Sequence, residues 1–268
     1  MTAQRVAAHR LTFDRVPAPY GDPAADDELA RDVAAGVAVK PGPMRDYLRA
    51  RTSFFDHVVT SSLSCGCAQA VIGAAGYDGR ALRYAKPGVR WFEADHPATQ
   101  RDKRSRLRRL GIDAGHIRFV AADFTVDPVA DLLVSAGLAP GERCLFLLEG
   151  VAVYLEVPVL RALLRQLRQV AADGSELAIS LSVSTASGEH AARRAAFQAA
   201  VAAVGEPACS VLEADGARDL LTEAGWRFPA DPQQDQPNPA DPQPNPVEPR
   251  PDQADRRCRA GFILATPA

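Results

Sequence analysis

From Ala68 onward the chain alternates short apolar runs with stretches whose apolar residues recur every three or four positions. The runs have the length of buried strands and the recurrences the period of helices, so their alternation predicts a parallel sheet wrapped by helices. Five strands are expected, at Ala68–Ile72, Arg90–Ala94, Ile117–Ala121, Cys144–Leu148 and Leu177–Ser182. Between the last two, Leu160, Leu163, Leu164, Leu167 and Val170 mark the clearest helix, with Pro158 suited to its first turn and Gly174 to its exit. Before Ala68 there is no strand pattern, and "DELARDVAAGV" and "MRDYLRARTSFFDHVV" both read as helices. After the fifth strand, "GEHAARRAAFQAAVAAVG" reads as an alanine-rich helix placed to form part of a lid. "LLTEAGWRF" then predicts a helix running into a strand at Trp226–Phe228, and "AGFILAT" a final strand.

Length and composition add limits. At 268 residues and 47% hydrophobic content the chain can bury one core. The expected organisation is a single domain: a helical cap (1–67), a sheet core (68–183), lid helices and a strand (184–228), a proline-rich loop (229–255) and a final strand (256–268). Pro229–Asp255 holds nine prolines among Gln, Asn and Asp, a composition expected to form an exposed, disordered loop. With a net charge of −2, no global basic field draws the chain to nucleic acid or to an anionic membrane, so a small-molecule or peptide substrate is expected. Six basic residues between Arg101 and Arg109 fall on one helix without aromatic neighbours, the pattern of a solvated face. There is no apolar run of membrane-spanning length and no leader-like N-terminus, from which a cytoplasmic protein is expected. Five scattered cysteines do not make a disulfide framework. No second Cys/His pair stands at zinc spacing from Cys65 and Cys67, so no metal is expected. The oligomeric state is left open.

In an open parallel sheet, ligands bind beyond the carboxyl ends of the strands, where the first strand–helix turn presents its backbone amides. That turn is "VIGAAGYDGR", Val71 to Arg80. An acid about 20 residues on, at the end of the second strand, would meet ribose hydroxyls. Both Glu93 and Asp95 qualify and lie on the same side of the strand; Asp95, nearer its carboxyl end, is preferred. "VAADF" sets Asp123 at the next strand end, where a carboxylate can accept from an adenine amino group, and "LLEG" sets Glu149 at the following one. Each acid alone could merely cap a helix. Four neighbouring strand ends with polar groups along one rim point instead to a nucleoside-bearing cofactor. The turn lacks G-x-G-x-x-G, which disfavours nicotinamide or flavin.

"RTSFFD", "GAAGYDGRALR", "FEADHPATQRDKRSRL", "AADF" and "LLEGVAVYL" stand in the order and spacing of the leucine carboxyl methyltransferase-like family of S-adenosylmethionine-dependent O-methyltransferases. The resemblance runs from "TAQRVAAHR" to "RAGFILA". It implies an α/β fold of the class I methyltransferase (Rossmann-like) type: a seven-stranded sheet, mostly parallel with the last strand antiparallel, under an N-terminal helical cap and with an insertion after the fifth strand. It further implies S-adenosyl-L-methionine as cofactor, released as S-adenosyl-L-homocysteine. By matching position, Arg51 resembles the arginine that meets the methionine carboxylate, and Ala74 to Gly76 the glycine turn. Asp95 resembles the ribose acid, Asp123 with Phe124 the adenine-side pair, Glu149 the acid near the methionine amino group, and Tyr154 a catalytic residue facing the transferred methyl.

The family turn usually reads Leu-Gly-Ala-Gly-x-Asp, where this chain has Gly73-Ala74-Ala75-Gly76-Tyr77-Asp78. With a negative φ at residue 74, alanine would add only a methyl beside the cofactor; with a positive φ, binding would weaken or the loop would shift, Gly73 absorbing the change. The expected course is an undisturbed loop, with Gly76 crowded so closely that a Cβ has no room.

The reaction expected from the resemblance is methyl transfer to oxygen, first to a carboxylate of a small acid or peptide terminus and second to a hydroxyl. A carboxylate needs no general base, whereas a hydroxyl would need one, with Tyr154, His190 and His57 as candidates. A pocket lined by basic and tyrosine side chains would indicate a carboxylate acceptor, and an apolar slot with one histidine a phenol. Two other readings compete: a nicotinamide-dependent oxidoreductase, and a non-catalytic methyltransferase-like binding protein. Retention of Arg51, Asp95, Asp123 and Glu149 speaks against the second.

Overall fold

The structure, a computed structural model, describes residues 2–39, 41–184, 210–227, 258–259 and 261–268. The alanine-rich helix expected after the fifth strand and the proline-rich segment lie outside the described residues. Strands β1 (Gln69–Gly73) and β4 (Cys144–Leu148) are buried at every position, which requires helices on both faces. Alternation within them divides the core. Val71, Cys144, Phe146 and Leu148 face one layer, and Ala70, Ile72, Leu145 and Leu147 the other.

β1 pairs in parallel with β2 (Arg90–Asp95) on one side and with β4 on the other. β3 (Ile117–Ala121) extends the first side and β5 (Glu176–Ser180) the second, both parallel. The chain therefore reverses its direction of winding between β1 and β4, and the crevice that forms at such a switch point is where ligands bind. Two very short strands, β6 (Val183–Ser184) and β7 (Leu212–Glu213), pair in parallel apart from the sheet. β8 (Trp226–Arg227), β9 (Cys258–Arg259) and β10 (Phe262–Pro267) complete the elements of the far edge. β10 is antiparallel to β5, giving the order β3-β2-β1-β4-β5-β10-β8 with β9 beside β10. The expected mixed seven-stranded path, with its antiparallel last strand, is present.

Helices α1 (Thr2–Arg10), α2 (Pro23–Val33), α3 (Pro43–Ser64), α4 (Arg80–Arg83) and α5 (Pro97–Leu110) cover one face. α6 (Val129–Ser135), α7 (Val157–Gln169) and α8 (Ala214–Glu223) cover the other. α2 starts at Pro23, four residues earlier than its apolar pattern suggests, because the Asp22 side chain accepts from the Ala25 amide and a proline at the first position needs no amide partner. The pattern did not show α1 at all. Among the described residues no helix is long and apolar enough to cross a membrane.

The basic run on α5 departs from expectation at one position. Lys103 is buried, its Nζ 2.6 Å from Glu93 Oε2 and 2.6 Å from the Asp78 carbonyl oxygen, while Arg101, Arg104, Arg108 and Arg109 are exposed.

Candidate functional site

The turn after β1 is held from below by two acids of β2. Asp95 Oδ2 accepts from the Gly76 amide at 2.5 Å and Oδ1 from the His96 amide at 2.6 Å. Glu93 is buried against Lys103, which in turn bonds the Asp78 carbonyl. Burial pushes both carboxyls above their ordinary values, against the pull of those amides for Asp95 and of Lys103 for Glu93. The same-side spacing thus delivers both acids to the turn, but Glu93 acts as its prop and does not line the cavity.

Ala74 has φ +51° and Gly76 φ +48°. Residue 74 therefore takes the positive course of the two open to it, and alanine occupies backbone that glycine favours. The crowding expected at Gly76 is not imposed by the protein: a Cβ there would lie 3.9 Å from its nearest neighbours, the Ala3 Cβ and the Ala74 oxygen. Tight packing falls instead at Gly73, where a Cβ would meet Leu148 Cδ2 at 2.6 Å.

Above the turn opens a cavity of about 980 Å³, bounded by α1, residues 37–39 and 41–42, α3 and the ends of β1, β4 and β5. Of the residues singled out from the sequence, Arg51, Ala74, Gly76, Glu149 and Tyr154 line it. Asp95, Asp123 and Phe124 stand outside this lining, at the end of β2 and just beyond the end of β3. There the Asp123 carboxylate accepts from the amide (2.9 Å) and hydroxyl (2.6 Å) of Thr125, which hold its pKa down, and the Phe124 ring abuts Gly73. His57 does not line the cavity, and His190 lies outside the described residues.

Glu149 is the focus of a buried charge network. Its Oε1 accepts from Arg51 Nε at 2.9 Å, and its Oε2 from Arg10 at 3.0 Å and Arg80 at 2.5 Å. Asp78 shares Arg10 and Arg80 at 3.1 and 2.5 Å. Arg80 continues to Asp56 at 2.7 Å, Asp56 to Arg15 at 2.6 Å, and Arg15 to Asp26 at 3.2 Å, so the charges run from the cavity into the cap. Burial alone would raise Glu149, but Arg80, Arg10 and Arg51 outweigh it and bring the carboxyl down to about 2. Asp78 and Asp56 are depressed in the same way, burial being outweighed by Arg10 and Arg80 for the first and by Arg80 and Arg15 for the second.

Sequence reasoning missed Arg10, and gave no role to Asp56 and Arg80 although both stand within the quoted motifs "RTSFFD" and "GAAGYDGRALR". The available signal was the charge itself: Asp56 interrupts the apolar stretch of Phe54, Phe55, Val58 and Val59 on α3. His9, another residue not singled out, also lines the cavity; burial, then Arg45 and Arg5, lower its pKa. Among the described residues no cluster of His, Cys, Asp or Glu could hold a metal ion.

A family model described as leucine carboxyl methyltransferase matches residues 7–168. A protein of Parafrankia sp. (strain EAN1pec) is 36% identical over 172 residues, covering 62% of this chain and 55% of that relative. One of Mycobacteroides abscessus is 34% identical over 197 residues, covering 66% and 65%. Both are provisionally named S-adenosyl-L-methionine-dependent methyltransferases. The chain thus spans 55% and 65% of the length of these two relatives. Among solved structures, a provisionally named methyltransferase of Thermobifida fusca matches with a TM-score of 0.59 at 14% identity, covering 98% of this chain and 94% of that one. An O-methyltransferase family protein of Burkholderia thailandensis matches at 0.50 and 13%, covering 98% and 70%. Likeness at that identity is a likeness of fold.

Proposed function

Since the chain belongs to the leucine carboxyl methyltransferase family, we propose that it is an S-adenosylmethionine-dependent O-methyltransferase whose first choice of acceptor is a carboxylate. The observation that carries this reading is the cavity at the switch point, where the turn, Arg51 and Glu149 meet a wall of basic and tyrosine side chains.

The residues fit the cofactor. The turn leaves open space beside Gly76, and Arg10 keeps a buried Nε without a partner. Arg51 spends one of its five N–H donors on Glu149, so others can meet the methionine carboxylate. Glu149, already facing three guanidiniums, would meet the methionine ammonium. Asp95 would serve the ribose, and Asp123 with Phe124 the adenine side. When bound, the cofactor supplies a methyl group already activated by its sulfonium, so the protein's task is to hold donor and acceptor in line and to exclude water.

For the acceptor, Arg5 and Arg10 with Tyr47, Tyr77 and Tyr154 in the same lining favour a carboxylate, which needs no proton removed. Hydroxyl methylation is the second reading. Tyr154, and a His9 whose lowered pKa keeps the imidazole neutral, would serve it as base.

Calorimetric titration tests the cofactor assignment. S-adenosylmethionine and S-adenosylhomocysteine should bind with comparable affinity, and Asp95→Ala should weaken both by about 1–3 kcal/mol, the cost of losing a charged hydrogen-bond partner. Absence of binding by either would remove the methyltransferase reading. Incubation with methyl-labelled cofactor and a panel of acids and phenols then separates the acceptors. A methyl ester releases labelled methanol in mild alkali, and a methyl ether does not.

A further inference from the structure

The cap carries a second cavity, of about 720 Å³, walled by the segment after α1, by α2, the start of α3 and α4. Six arginines line it (Arg10, Arg15, Arg31, Arg45, Arg49 and Arg83) against two acids, Asp14 and Asp27. Three of the six form a neutralised floor. Arg15 is paired with Asp26 and Asp56, Arg83 with Asp26 and Asp27, and Arg10 with Asp78 and Glu149.

The other three have no carboxylate partner among the described residues. Arg45 donates to the hydroxyl and carbonyl oxygens of Thr12 at 3.1 and 2.6 Å, which fixes its side chain without cancelling its charge. Arg49 follows four residues later on the same face of α3, a like-charge spacing that is unfavourable without a counter-ion. Arg31, on the last turn of α2, is exposed and enters the same cavity from the opposite wall. Of the two acids in the lining, Asp27 is already paired with Arg83 and Asp14 is exposed. Arg10 lines both this cavity and the larger one.

We propose that this arginine-lined groove is a second binding site, for a multiply charged oxyanion of the phosphate class, gripped by Arg31, Arg45 and Arg49. Guanidinium forks bond such oxygens two at a time, and three converging cations favour the higher charge density of a phosphate over a single carboxylate. The cavity has room for more than a bare ion. Both free phosphates and the phosphate group of an ester share this chemistry.

Calorimetric titration of the full chain at low ionic strength, with inorganic phosphate, pyrophosphate, glycerol 3-phosphate and citrate, tests the site. Saturable binding of pyrophosphate at one site is expected. It should weaken by about tenfold or more in Arg31→Gln/Arg49→Gln, the loss of at least one charge-assisted bond. The double variant Arg101→Gln/Arg104→Gln removes the same charge from exposed positions of α5 and should bind like the parent. Matching melting temperatures show that the variants fold. Glycerol 3-phosphate binding at least as tightly as inorganic phosphate would mark an ester as occupant, and the reverse order a free anion; either supports the site. No saturable binding, equal weakening in both double variants, or a preference for citrate would overturn it.

Discussion

Ala74 is an alanine in left-handed backbone, with φ +51°. That region costs an L-residue with a Cβ about 1–2 kcal/mol, while glycine in its place gives back about 0.5–1 kcal/mol through the greater freedom of the unfolded chain. Ala74→Gly should therefore stabilise the protein by about 0.5–1 kcal/mol, and raise the melting temperature by about 1–4 °C for a chain of this size. Ala75→Gly is the internal control. Ala75 is 4% exposed, has no positive φ, and donates its amide to the Ala94 carbonyl. Its glycine variant loses a buried methyl and adds chain entropy, so it should lose about 1–2 kcal/mol. Gly76→Ala completes the series. Its Cβ has room within the protein, so the fold should lose only the cost of φ +48°, about 1 kcal/mol, and any larger loss in cofactor affinity would come from contact with the ligand. Scanning calorimetry with and without S-adenosylhomocysteine reads all three variants. If Ala74→Gly melts lower than the parent, residue 74 is unstrained and the reasoning fails.

Other consequences follow from the charge network. Glu149→Gln should cost about 3–5 kcal/mol in urea unfolding, because three buried guanidiniums lose their shared anion. Glu149 titrates at about 2 in the folded chain against an ordinary 4.5, so its stabilisation is complete above 4.5 and lost as pH falls through about 2. The variant should lose stability less steeply than the parent across that window, and an identical slope would mean that Glu149 is not held ionised by the arginines. Lys103→Met should leave Glu93 unpaired and cost about 3 kcal/mol, most of it restored in Lys103→Met/Glu93→Leu. Strictly additive losses would show that the two residues do not act as a pair.

β1 and β4 were legible because their burial on both faces forces continuous apolar runs, and the partly exposed edge strand β3 also lies at Ile117–Ala121, where the pattern predicts it. The likeness of the quoted motifs to one methyltransferase family was legible too, since Arg51, Glu149 and the turn are each fixed within short segments of chain. Tertiary structure decided the rest. α1 contains only a few apolar side chains, so no periodicity announced it, and its terminal Arg10 meets partners 68 and 139 residues away. The positive φ at Ala74 is a property of the folded turn, whose Gly76 amide is bonded to Asp95 from the next strand, and Glu93 became a prop because Lys103 reaches it from α5. Local periodicity records which face of an element is buried. Which charge answers another across the fold is settled only when burial removes water as the alternative partner.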